Sequence, residues 1–258
     1  MIVWICRSVL VLVLAWTSLL QAAEIPNIAA AANIKFAMEQ IVKNYQQQTG
    51  QQLRVSYGSS GNFVAQIKHG APFQLFLSAD EKYVEALSSS GITADNGVIY
   101  AYGRLALVAP NNSPLTLDEK LDGVAKLLHD GQLKRFAIAN PEHAPYGERA
   151  RQLLQQKGLW QAMQSSIVYG ENVSQAAQFA LSGSTQGGIV ALSLAMAPQF
   201  RERGRYLALP VEQYTPLTQR MVLLNSAGEV TKDFYHYLQS KPARAVFSSF
   251  GFALPEEH

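Results

Sequence analysis

The chain of 258 residues holds a single cysteine, Cys6, and it precedes the apolar run near the start. Residues 1–23 read as an export signal. Arg7 supplies the positive beginning, residues 9–16 carry no charge, and Gln21-Ala22-Ala23 is a small-residue cleavage region. Cleavage near Ala22 or Ala23 is expected, and it removes Cys6, which is not placed to become a lipid-anchored terminus. Disulfides and thiolate chemistry are thereby excluded from the exported protein. The opening apolar run is too short for a membrane span, and no later segment is long and apolar enough for one. Charge of one sign is lacking as well: the net charge is +2, which gives no basis for a nucleic-acid surface. The five histidines (His69, His129, His143, His236 and His258) are dispersed without metal-ligand spacing. There is no P-loop, no Gly-x-Gly-x-x-Gly after a strand and no Gly-x-Ser-x-Gly elbow. The expectation is a soluble, exported protein with no resident metal or cofactor.

About 235 residues remain beyond the signal, enough for one large or two modest α/β lobes. Residues 25–31 read as a buried strand. Ile34, Ala37, Met38, Ile41, Val42 and Tyr45 then fall on one helix face, and Gly50 stops the helix. Leu53, Val55 and Tyr57 alternate as a second strand, residues 63–69 form a short helix, and residues 75–77 a third strand before the helix 81–89. Such alternation marks a parallel sheet covered on both faces. The pattern changes over residues 98–110. It restarts with strands at 136–139, 167–169 and 188–192 and helices at 148–156 and 174–181. Strands at 206–209 and 220–224 and helices at 229–239 and 242–250 follow. Two α/β lobes with a cleft between them is the economical reading, with lobe 1 at 24–100 plus 218–258 and lobe 2 at 101–217.

Two turns stand out. Ala29-Ala30-Ala31-Ala32-Asn33 and Gly58-Ser59-Ser60-Gly61-Asn62 each follow an extended apolar stretch and each opens a helix. Small residues there let a ligand approach the backbone, and the first N–H groups of a helix lack intrahelical partners and carry the positive end of its dipole. Two such turns converging on one point make an anion site from neutral donors. Neither turn contains an acidic residue, which suits a dianion. Taken singly, Asn33 is equally a helix cap, and Ser59, Ser60 and Asn62 are ordinary turn residues. Their duplication at successive strand ends, where open α/β sheets place ligands, favours function. The second lobe offers Asn140-Pro141-Glu142-His143-Ala144-Pro145-Tyr146-Gly147 before a helix, with two prolines stiffening the loop. Glu171-Asn172-Val173-Ser174 opens another helix, either donating backbone N–H groups or only capping. Ser59 or Ser60 with His143 offers a nucleophile and base in residue type alone.

These segments, with Gly70-Ala71-Pro72-Phe73-Gln74-Leu75-Phe76-Leu77-Ser78-Ala79-Asp80 and Gly188-Ile189-Val190-Ala191-Leu192-Ser193, resemble the periplasmic molybdate-binding proteins of ABC importers. The resemblance runs in one order over essentially the whole mature chain. It implies a two-lobed periplasmic binding protein fold, each lobe a mostly parallel sheet flanked by helices, with two crossovers and a lobe 1 completed by the C-terminal helices. A tetrahedral oxyanion, molybdate or tungstate, is implied in the cleft, so molybdenum enters only as the oxyanion. The resemblance carries ligand roles to Asn33, to Ser60 through its hydroxyl and N–H, and to the backbone N–H groups of Tyr146 and Val173. Ser59, Gly61 and Asn172 are secondary candidates. A membrane permease as partner and a monomer are also implied.

Two departures touch selectivity. Some members have serine at the place of Asn33, and some have a tyrosine donor at the place of Ala191, for which Tyr146 is the candidate substitute from the facing loop. Reversible binding without catalysis is expected. The alternatives are another oxyanion (sulfate, phosphate or a phosphonate) and, less favoured, a serine hydrolase using Ser60 and His143. Arg104 and Arg149 lie near the candidate loops and would matter for a carboxylate ligand.

Overall fold

Two sheets of five strands organise residues 25–256, the part of the chain that the structure, a computed structural model, describes. The expected signal segment lies outside the described residues. In chain order the elements are β1 (Asn27–Ala31), α1 (Lys35–Thr49), β2 (Arg54–Gly58), α2 (Ser60–Lys68), β3 (Leu75–Leu77), α3 (Glu81–Ser88), β4 (Val98–Gly103), β5 (Leu105–Pro110) and α4 (Asp122–His129). They continue with β6 (Phe136–Ala139), α5 (Pro145–Gln156), α6 (Trp160–Met163), β7 (Ile167–Gly170), α7 (Val173–Ala180), β8 (Gly187–Ala191), α8 (Leu192–Ala195), α9 (Pro198–Arg201), β9 (Gly204–Ala208), β10 (Leu217–Leu223), α10 (Glu229–Leu238) and α11 (Lys241–Ser249). No helix among the described residues is long and apolar enough to cross a membrane.

The first sheet runs β2-β1-β3-β10-β4 and is covered on both faces. Side chains alternate across a strand with period two. Ile28, Ala30, Leu75, Leu77, Met221 and Leu223 therefore enter one core, with Met38 and Ile41 of α1, Phe234 of α10 and Phe247 of α11. Ala29, Phe76 and Val222 enter the other, with Phe63 and Ile67 of α2 and Val84 and Leu87 of α3. Helix α1 buries Ala37, Met38, Ile41 and Tyr45 and ends at Gly50, whose φ of 72° is the left-handed cap that glycine adopts without a Cβ penalty. The C-terminal helices thus complete the first lobe.

The second sheet runs β7-β6-β8-β5-β9 over a separate core that includes Leu107, Ile138, Leu153, Ala177 and Ile189. Only part of each sheet is parallel: β1 pairs in parallel with β2 and β3, and β6 with β7 and β8. The other pairings, β10 with β3 and β4 and β5 with β8 and β9, are antiparallel. The sheets are mixed because the strands carrying the chain between lobes reverse its direction. One residue, Arg104, separates β4 of the first sheet from β5 of the second, and the chain returns between β9 and β10. β4 stays in the first sheet through Gly103, three residues past the changeover expected from sequence. This layout brings the C-terminal ends of β1, β2 and β3 to face the starts of α5 and α7.

Candidate functional site

Where the lobes meet, a small cavity of about 10 Å³ is lined by Ala31, Ala32, Asn33, Gly58, Ser59, Ser60 and Ala79 from the first lobe and by Ala144, Pro145, Tyr146 and Val173 from the second. Asn33, Ser59, Ser60, Tyr146 and Val173 are thus brought together from four separate segments. Ala79 went unread from sequence; its place at the end of β3 repeats the strand-to-helix logic of the other two turns. Every lining side chain is neutral.

Helix starts supply the donors. At α2, the N–H of Phe63 returns to the Ser59 carbonyl and that of Gly61 reaches across the lobes to the His143 carbonyl at 2.9 Å. The secondary candidate Gly61 therefore joins the lobes instead of lining the cavity. Ser60 opens the helix and is fully buried, and its hydroxyl oxygen accepts the Ala79 N–H at 3.0 Å, so the hydroxyl proton remains to be donated. At α5, Pro145 has no N–H, and Glu148 N–H returns to the Ala144 carbonyl, so the first donor of this helix is the Tyr146 N–H. At α7, the Asn172 side chain accepts from Ser174 and Gln175, and its carbonyl accepts from Ala176. Asn172 is thus a cap, and the N–H its capping does not take is that of Val173.

Behind Asn33 lies a buried polar network. Asn33 Nδ2 donates to Gln219 Oε1 at 3.0 Å and lies 3.3 Å from the Tyr146 hydroxyl, which also accepts from Gln219 Nε2 at 3.1 Å. Burial pushes the Tyr146 phenol well above its ordinary pKa, so it stays protonated. That phenol sits so close to Gly103 that a Cβ there would meet its oxygen at 2.3 Å. The hydroxyl of Tyr146, the candidate substitute for a tyrosine at Ala191, lies against Asn33, Gln219 and Gly103. Ala191 itself pairs with Leu105 at the end of β8.

The charges nearby are paired across the cleft. Arg149 on α5 donates to Asp80 at 2.6 Å, and both side chains are more than nine-tenths buried. Lys82 pairs with Glu148 beside them. Burial raises the Asp80 carboxyl above its usual range, against the Lys82 N–H and Arg149, which lower it. Arg149 is thereby tied up at the lobe boundary, and neither it nor Arg104 lines the cavity. His143 Nδ1 lies 2.9 Å from Ser59 Oγ, while its Nε2 is 3.8 Å from Glu171, outside hydrogen-bond distance. The serine–histidine contact exists, but the base lacks the hydrogen-bonded third group that orients it in a hydrolase. Among the described residues no cluster of three His, Cys, Asp or Glu suits a metal ion.

Gly61 offers a test of how close the lobes must come. A Cβ there would lie 2.8 Å from the His143 carbonyl oxygen, on the opposite lobe. Gly61→Ala is expected to leave the unfolding midpoint unchanged and to favour a more open form, seen as a larger radius of gyration by small-angle scattering with ligand present. Scattering identical to that of the parent would show that this contact does not limit closure.

The chain is similar to characterised proteins over most of its length. The family described as bacterial extracellular solute-binding protein matches residues 26–253. The molybdate-binding protein ModA of Azotobacter vinelandii is 35% identical over 240 residues, covering 91% of each chain. ModA of Rhodobacter capsulatus is 31% identical over 227 residues, covering 87% of this chain and 86% of its own. Among solved structures, the periplasmic molybdate-binding protein of A. vinelandii superposes with a TM-score of 0.81 at 31% identity, over 90% of this chain and 100% of its own.

Proposed function

The chain belongs to the family of bacterial extracellular solute-binding proteins that includes the molybdate-binding proteins, and we propose that its cleft binds a tetrahedral oxyanion dianion, molybdate and also tungstate, for delivery to an ABC-transporter permease. The observation that carries the reading is a small cavity walled by neutral donors from both lobes and free of carboxylate. A dianion leaving water needs several well-aimed donors, and the hydroxyl and N–H of Ser60, the Asn33 amide and the N–H groups of Tyr146 and Val173 are the set assigned here. Helix N-termini supply the compensating field. Molybdate and sulfate carry the same charge, so size separates them: in a shell set for the larger ion, sulfate falls short of its donors. Each lost charge-assisted bond costs on the order of 1.5–3 kcal/mol. Donors on two lobes favour the closed form once the ion is bound. Export to the periplasm, with residues 1–23 removed, and a monomeric carrier complete the proposal.

The test is thermal unfolding of the mature protein with and without anion. Molybdate at a hundred times its dissociation constant should add about 2.7 kcal/mol of stability, with sulfate at the same concentration adding none; a midpoint unmoved by molybdate would refute the reading. The contact between Ser59 and His143 favours a second reading, a hydrolase. We assign it instead to holding the lobes together. The parent should show no esterase activity, and His143→Ala should still bind the anion.

A further inference from the structure

The Asn33 amide has an unexplained corner. Its NH2 is taken up by Gln219 and Tyr146, while Oδ1 is buried without a hydrogen-bond partner. An unpartnered acceptor beside a dianion is repulsive, so this orientation does not suit the bound state. A half-turn of an amide exchanges oxygen and nitrogen with almost no change of shape. Asn33 cannot turn alone, however, because its oxygen would then lie 3.0 Å from Gln219 Oε1, acceptor against acceptor. Turning both amides resolves the conflict. Gln219 Nε2 would donate to Asn33 Oδ1 across the same 3.0 Å and to the Tyr100 hydroxyl across 2.8 Å. Tyr100 would donate to the Ser78 carbonyl at 3.1 Å, a contact already in place. Tyr146 would donate its phenolic proton to Gln219 Oε1 at 3.1 Å. The Gln219, Tyr100 and Tyr146 protons then all have acceptors, and the Asn33 NH2, in the corner where the unpartnered oxygen stood, is left to donate to the anion.

We propose that Gln219 is a positioning residue for the anion: it reverses together with Asn33 and locks the Asn33 amide with its NH2 toward the bound oxyanion. The inference rests on the oxyanion reading of the cleft. Gln219 is fully buried on β10, the strand by which the chain re-enters the first lobe, and it touches Tyr146 of the second. The direction of one amide in the site is thereby coupled to the contact between lobes.

Molybdate titration calorimetry on Gln219→Glu, Gln219→Met and Asn33→Ala, alone and combined, tests this. A carboxylate at 219 only accepts, so it pins the Asn33 NH2 away from the cavity, and affinity should fall at least a hundredfold. Methionine of similar length neither holds nor repels the amide, so affinity should fall about tenfold, well short of the loss with glutamate. In the Asn33→Ala background the glutamate should lose most of its effect, because there is no amide left to misdirect. A merely structural role would make methionine as harmful as glutamate. Simple charge repulsion would leave the glutamate penalty intact without Asn33. Either result overturns the proposal, whereas a parent that binds no oxyanion overturns the reading of the cleft itself. Should Gln219→Glu not fold, the parent answers: in protein labelled with 15N-asparagine, hydrogen exchange of the Asn33 NH2 should slow at least tenfold on adding tungstate, and unchanged exchange contradicts the inference.

Discussion

Ser60→Ala is expected to weaken molybdate binding by roughly 10- to 150-fold, the equivalent of one charge-assisted hydrogen bond of about 1.5–3 kcal/mol. The magnitude follows from where the hydroxyl stands. Ser60 is fully buried at the start of α2, and its oxygen is fixed by the Ala79 N–H. The hydroxyl therefore points a proton without paying rotational freedom at the moment of binding. Alanine removes that donor and also leaves the Ala79 N–H without its acceptor in the empty protein. A small fall in unfolding stability, on the order of 1 kcal/mol, should accompany the loss of affinity. Calorimetry on the folded variant decides the matter: affinity equal to the parent's would remove Ser60 from the donor set.

Asp80→Ala should have an effect at least as large, by a different route. The carboxylate pairs with Arg149 across the lobe boundary and also caps α3 by accepting the Lys82 N–H at 3.1 Å. Removing one partner of a buried pair typically costs about 3–5 kcal/mol, and Glu148, 3.2 Å from Arg149, offsets only part of the charge left behind. Here the protein has an escape short of unfolding, because opening the cleft returns Arg149 to water. Most of the cost should fall on closure, and molybdate affinity should drop by about two orders of magnitude. The unfolding free energy without ligand should fall by only about 1 kcal/mol, the usual worth of a lost cap. Equal losses in ligand-free stability and in binding would show that the pair supports the fold rather than closure.

Much of the architecture was legible because local patterns specify it. The continuous apolar run of buried β1 and the one-sided face of α1 are both visible in the residue order, and small residues at the ends of β1 and β2 mark the places where a ligand can meet the backbone. The tertiary partners were not legible. Helix α4 has no capping residue at its start to mark it in sequence: Leu121 stands there, with a φ of 65°. The capping there comes from Asp118, which accepts the N–H groups of Lys120, Asp122 and Gly123. Gln219 gave no signal because nothing near it in sequence is special; it matters only because an antiparallel return strand sets it beside Asn33, 186 residues away. The pairing of Asp80 with Arg149 is likewise a product of lobe docking. Helix starts drew attention to Gly61 and Asn172 by residue type, but the N–H of one joins the lobes and the side chain of the other caps α7.

The account turns on a cleft whose neutral donors hold a dianion of one size. Calorimetric titration of the anion-stripped mature protein with molybdate, tungstate, sulfate and phosphate in turn tests it most directly. Tight one-to-one binding of molybdate and tungstate, with no heat of binding from sulfate or phosphate, is the predicted result. Preference for sulfate or phosphate would contradict size selection for the larger ions, and silence from all four would contradict the oxyanion site itself.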